Sequence, residues 1–183
     1  MIRSLSLCTA FAFLILGCKD KPEEIIITSK IGAANLFVNN EEIILDNWQL
    51  CDLRYIGDSI YSYDGRIMSS DKKWLLMISF LSYTNSFATP IELNTNPIQD
   101  AFHTVIVYQP NYPSNEESIT YSSDFNIDGN VSLTKLEQNI GGKFEGNFSL
   151  NNISVFSDQS FLLTDTASIA GSFRLEIGKI IQH

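Results

Sequence analysis

Between residues 25 and 181 the apolar residues recur in short alternating runs, and no stretch of ten or more residues holds the 3.6-residue period of an amphipathic helix. The runs are rich in Ile, Val, Phe, Tyr and Thr. Clusters of Asn, Asp, Gly and Pro separate them at intervals of roughly 8 to 15 residues, the punctuation of an all-β domain. Strands are predicted over residues 25–28, 36–38, 43–45, 48–55, 74–84, 102–109, 118–127, 130–136, 142–150 and 168–177. In Phe144, Gly146, Phe148, Leu150 and again in Ile169, Gly171, Phe173, Leu175, Ile177 the apolar set keeps one parity. Lys143, Glu145, Asn147 and Arg174, Glu176 keep the other, so each segment has one buried face. The run from Trp74 to Leu81 is apolar at both parities and predicts a central strand covered on both sides. With no βαβ alternation, the expected architecture is an antiparallel β-sandwich, the alternative being a small closed, lipocalin-like β-barrel. Glycines inside the similar segments 142–150 and 169–175 mark places where another backbone or a large ring approaches closely.

The 183 residues are 44% hydrophobic, enough to bury the core of one domain. Twelve Lys and Arg stand against 21 Asp and Glu, a formal net charge of −9. Affinity for nucleic acid comes mainly from cations that neutralise phosphates, so that class of partner is excluded first.

Residues 1–19 have the plan of an export signal: Arg3 gives a positive start and residues 5–16 an apolar stretch. This signal helix of the precursor is too short for a bilayer core, which takes about 20 residues. It ends in Leu14-Ile15-Leu16-Gly17-Cys18, which resembles the lipobox of bacterial lipoproteins. The resemblance implies cleavage before Cys18 and a diacylglyceryl group on its thiol, with the membrane as a partner through the lipid anchor. The chain then divides into a signal peptide (1–17), a lipidated cysteine and tether (18–29) and a single β domain (30–183). Lys19-Asp20-Lys21-Pro22-Glu23-Glu24 has the composition of a solvated tether. It partly resembles the acidic stretch behind the cysteine of Bacteroidetes-type lipoproteins, which implies an outer-membrane address facing the periplasm or the cell surface. Cys8 leaves with the signal and Cys18 carries lipid, so Cys51 is the remaining thiol and no intramolecular disulfide can form. The neighbouring Asp52 opposes a thiolate, and Cys51 is expected to be a buried structural residue.

Three later segments resemble a family of small Bacteroidetes lipoproteins classed as a domain of unknown function. They are Asp128-Gly129-Asn130-Val131-Ser132-Leu133-Thr134, then Ile140-Gly141-Gly142-Lys143-Phe144-Glu145-Gly146-Asn147-Phe148, then Ile169-Ala170-Gly171-Ser172-Phe173. That family has a G-x-V-x-I-T strand, an I-S-G-T-F-S-F strand and a final G-x-F. Such motifs specify packing, and the resemblance implies a fold and an address without a catalytic residue.

Asp124, Asn126 and Asp128 spell the first half of an EF-hand-type loop and form the candidate metal site. Its twelfth position is Lys135, where a closing carboxylate would be needed, and Asp128-Gly129 is also a strong hairpin signal. The preferred expectation is therefore a hairpin without metal. His103 alternates with Ala101, Val105 and Val107 and is read as a sheet-face imidazole; His183 ends the chain. Paired acids such as Glu41-Glu42 and Glu116-Glu117 fall in polar turns, no catalytic or cofactor-binding motif is present, and no cofactor is expected. The aromatics mostly read as core. Tyr61, Tyr63 and Tyr112 fall in apparent turns and form the candidate binding surface for a protein or glycan. Asp58-Ser59-Ile60 and Asp165-Thr166-Ala167, beside predicted loops, resemble the D-[ST]-apolar acceptor of Bacteroidetes O-glycosylation and mark Ser59 and Thr166.

The leading expectation is a lipid-anchored, non-enzymatic envelope protein that acts as a binding or assembly module. A carrier of an apolar small molecule is the second reading and a hydrolase with dispersed carboxylates the third. An empty closed barrel would favour the carrier, a filled two-sheet core the module, and a cleft with facing carboxyls the enzyme.

Overall fold

The computed structural model describes residues 32–56, 60–82, 88–94, 100–114, 117–123, 128–157 and 163–182. The signal segment, the tether and the strand predicted at 25–28 lie outside the described residues. The described strands are β1 (Ala33–Val38), β2 (Glu41–Leu45), β3 (Gln49–Ile56), β4 (Ile60–Met68), β5 (Trp74–Ser82) and β6 (Ile91–Asn94). The second half holds β7 (Asp100–Tyr108), β8 (Ile119–Ser122), β9 (Gly129–Leu136), β10 (Lys143–Ser157), β11 (Leu163–Glu176) and β12 (Lys179–Gln182). They join one open mixed sheet in the order β12-β3-β4-β5-β7-β8-β10-β11-β1-β2, with β9 on β10 and β6 on β9.

The sheet folds into two layers because β10 belongs to both. Its first half, Phe144 to Leu150, pairs with β9, and its last residues, Ser154 to Ser157, pair with β8. Between them a bulge adds one residue relative to β11: Leu150 faces Ile169, but Ile153 faces Ala167. Asn152 takes a φ of 51° there. A one-residue bulge bends the strand and exchanges its faces, so the buried side chains pass from Phe144, Phe148 and Leu150 to Ile153. One layer is then β12-β3-β4-β5-β7-β8 and the other β6-β9-β10-β11-β1-β2.

Aromatic rings fill the space between the layers. Tyr63 and Phe80, Cα partners in β4 and β5, lie 6.3 Å apart, and Tyr63 reaches Phe144 of the opposite layer at 5.2 Å. Phe102 meets Phe148 at 5.9 Å, and Phe144 meets Phe173 edge-on at 4.9 Å. The predicted role of the glycines holds. Gly146 faces Phe173 and Gly171 faces Phe148 across the β10–β11 ladder. A Cβ on Gly146 would stand 3.1 Å from Phe173 Cζ, and one on Gly171 would stand 3.0 Å from Phe148 Cζ. The tip of each ring thus reaches the space beside the glycine of the other strand.

Several expectations change. The closed barrel gives way to an open sheet, since β12 pairs with β3 alone and β2 with β1 alone among the described residues. The pairing is antiparallel except at one edge, where β12 runs parallel to β3 after Gly178 N–H bonds Cys51 O at 2.9 Å. Among the described residues no hairpin joins β8 to β9 at Asp128-Gly129: both strands pair with β10, β9 with Phe144 to Leu150 and β8 with Ser154 to Ser157. Tyr61 to Gly65, read as a turn segment, lie within β4; Gly65 faces the core where Leu175 of the opposite layer occupies the space a Cβ would need. On β5, Leu76, Ile78 and Phe80 are buried, whereas Leu75, Met77 and Leu81 are half-buried on a second face that no layer of the described residues covers.

Truncating Phe148 or Phe173 to Ala is expected to cost about 3 to 5 kcal/mol, as for a buried phenylalanine elsewhere. Gly171→Val adds atoms against Asn35 O and the Phe148 ring and should also destabilise. Chemical denaturation of the three variants measures this, and unchanged midpoints would show that the rings do not lie over the glycines.

Candidate functional site

Cα partners in a ladder point to the same side of the sheet, so register sorts the uncovered face of the first layer into rows. Met68, Leu75, Val107 and Thr120 form one row, extended past β3 by Trp48, whose carbonyl accepts the Met68 N–H at 3.0 Å. Leu50, Arg66, Met77, Val105 and Ser122 form the next, and Asp52, Asp64, Ser79 and His103 the third. A largely apolar row and a mixed one, which carries Arg66 and Ser122 beside Leu50, Met77 and Val105, thus lie beside a polar one. Trp48 is 45% exposed and Arg66 is exposed, while Leu50, Met68, Leu75, Met77, Val105 and Val107 are half-buried by their neighbours alone.

The polar row is internally bonded. Asp64 accepts the Ser79 hydroxyl and the Ser62 hydroxyl, each at 2.9 Å, and its carboxylate lies 3.3 Å from Arg54 Nε. Asp52 lies 3.8 Å from the same guanidinium, with Oδ1 buried and unbonded. His103 Nε2 and Ser122 Oγ are 3.2 Å apart. Asp52 and Asp64 face one another across β3 and β4, yet on an open sheet face with a cation between them rather than in a cleft.

The predicted site residues separate. Tyr63 is fully buried and its hydroxyl donates to Glu137 O at 3.3 Å, so it is no part of a binding surface. The inward parity of β4 decides this, and the side chain of Tyr61 lies outside the described residues. Tyr112 is 46% exposed, with the Lys72 ammonium 6.0 Å from its ring centroid. Trp74 packs 4.4 Å from Tyr108 and 6.5 Å from Tyr121, closing one end of the core. Burial, followed by the charge of Glu41 and the neighbouring Tyr108, pushes the Tyr121 phenol above its ordinary value and keeps it neutral.

Asp124, Asn126, Ser59, Cys18 and His183 lie outside the described residues. Asp128 is exposed and accepts from Asn152 Nδ2, while Lys135 lies 3.8 Å from Glu145 on β10. Among the described residues no group of three His, Cys, Asp or Glu side chains is placed to hold a metal. Thr166 lies within β11 opposite Ser154 rather than beside a loop, because β11 extends to pair with the second half of β10; it remains exposed. Trp48 was not among the expected surface aromatics, although its parity with Asp52 and Arg54, opposite to Cys51 and Leu53, already points it outward.

The chain matches no family model, no curated protein and no solved structure.

Cys51 is buried as expected. Burial, then the charges of Asp52 and Asp64, push its thiol well above the ordinary range. Native protein at pH 8 should resist alkylation at Cys51 until denatured. An unfolded chain releases this proton above about pH 9 while the folded chain retains it. The site then lowers stability by about 1.4 kcal/mol per pH unit above that point and leaves it unchanged below. Denaturation of wild type and Cys51→Ala at pH 8 and pH 10 isolates the slope, and rapid native alkylation would contradict the burial.

Proposed function

We propose that the protein is a lipid-anchored, non-enzymatic module of the bacterial envelope that binds a partner through the uncovered face of its first layer. The observation that carries this reading is a half-exposed apolar surface, built from Leu50, Met68, Leu75, Met77, Val105 and Val107, bordering a bonded polar row. Contiguous apolar surface with a polar margin is the usual anatomy of a protein–protein interface. The filled aromatic core supports a module over a carrier, since the rings of Tyr63, Phe80, Phe102, Phe144 and Phe148 occupy the interior an apolar ligand would need. The address rests on the signal segment, the Gly17-Cys18 junction and the charged tether behind it.

The hydrolase reading, with dispersed carboxylates, needs two carboxyls facing each other in a cleft. Against it, the facing pair Asp52 and Asp64 lies on an open sheet face with the Arg54 guanidinium beside both.

Two variants test the proposal. Cys18→Ser should move the protein from the detergent phase to the aqueous phase, and unchanged partitioning would contradict the anchor. Met77→Asp, at a half-exposed position, should shift stability by only about 0.5 kcal/mol. It should nevertheless convert a larger assembly on native gels of solubilised envelope into the single chain; an unaltered assembly would contradict the interface.

A further inference from the structure

One end of the sandwich collects the exposed amphipathic side chains. The corner carrying Asp46 and Trp48, the turn from Ser69 to Lys73 and the turn around Tyr112 meet there. The Ser70 hydroxyl donates to Asp46 Oδ1 at 2.5 Å, and Gln109 N–H donates to Lys73 O at 2.7 Å. Trp48 and Tyr112 are two of the four large hydrophobic side chains exposed among the described residues, the others being Phe37 and Ile44 on β1 and β2. The exposed acids at this end are each hydrogen-bonded to a neighbour: Asp46 accepts from Ser70, Asp71 from Ser69 and Glu117 from Asn111 Nδ2. Lys72 and Lys73 are exposed, with Lys72 set over the Tyr112 ring.

The chain enters the described fold at this same end. Gly32 lies against the Gln49 side chain, next to Trp48, closely enough that a Cβ there would overlap it. From Cys18 to Gly32 the chain can extend at most about 48 Å, and any slack in it brings the end closer to the anchor.

We propose that the Trp48–Tyr112 end rests on the lipid surface to which Cys18 is anchored, an inference that depends on the lipoprotein reading. Tryptophan and tyrosine rings combine apolar area with a polar tip and settle at the boundary between acyl chains and headgroups. Lysine stems lie along such a surface while their ammonium groups reach the phosphates. Contact at this end sets β3, β4, β5 and β7 upright on the membrane, so the uncovered face with Met77 and Val105 turns sideways, clear of the lipid and open to a partner.

The chain has two tryptophans, Trp48 exposed and Trp74 half-buried beside Tyr108. Full-length lipidated protein is reconstituted into phosphatidylethanolamine–phosphatidylcholine vesicles with and without a phosphatidylcholine brominated near its headgroup end. Quenching of the wild-type emission by the brominated lipid, lost in Trp48→Phe, is the expected result. Equal emission in the two vesicle types, or quenching that persists in Trp48→Phe, would overturn the contact. The intact mass of the same preparation reports the anchor separately. A missing diacylglyceryl mass on Cys18 overturns the lipoprotein reading and the contact together, whereas that mass with an unquenched Trp48 overturns the contact alone.

Discussion

Two phenylalanine rings laid over two glycines hold the register on which the rest of the molecule depends. Phe148 covers Gly171 and Phe173 covers Gly146, each on the neighbouring strand, so the β10–β11 pair is locked twice by the same Gly-x-Phe spacing. A slip of one residue would turn both rings to solvent and bring side chains into the space the glycines leave open. Because β10 reaches both layers, its register also fixes where β9 ends, where β8 begins and which residues the bulge after Leu150 turns inward.

The rings that set the register also fill the interior between the two layers. A buried phenylalanine contributes roughly 1.5 to 3 kcal/mol through burial alone, so this core accounts for much of the driving force for folding. The Asp52–Arg54–Asp64 group, partly exposed on the opposite face, adds little by comparison, since surface ion pairs are worth about 0 to 1 kcal/mol. Folding therefore places weak demands on the outer rows. Their combination of apolar breadth and a bonded polar border suits the partner-binding reading.

The fold was legible where parity alone decides. The alternation in 142–150 and 169–177 placed Phe144, Phe148, Phe173 and Leu175 inward, and the glycines were read as sites of close approach. Turn signals misled where tertiary pairing overrides them. Asp64-Gly65 lies mid-strand because Leu175 needs the glycine's space, and Asp128-Gly129 makes no hairpin because β10 pairs with the strands on both sides of it. The short strands β6 and β12 carry too few residues to show a period, and only their partners β9 and β3 define them. For the site, Tyr112 was legible as an exposed turn residue, whereas Tyr63 was misplaced along with its strand. The outer rows were hidden for a different reason. Each takes single residues from four or five strands, and no local sequence window contains a row.

The most direct test of this account is a nuclear Overhauser spectrum of the folded domain, read at the α protons of Gly146 and Gly171. Rings lying over those carbons should give cross-peaks from Phe173 to Gly146 and from Phe148 to Gly171, with one or both α-proton resonances of each glycine displaced upfield. Glycine α protons at ordinary shifts, with no cross-peak to either ring, would contradict the register and the two-layer fold built on it.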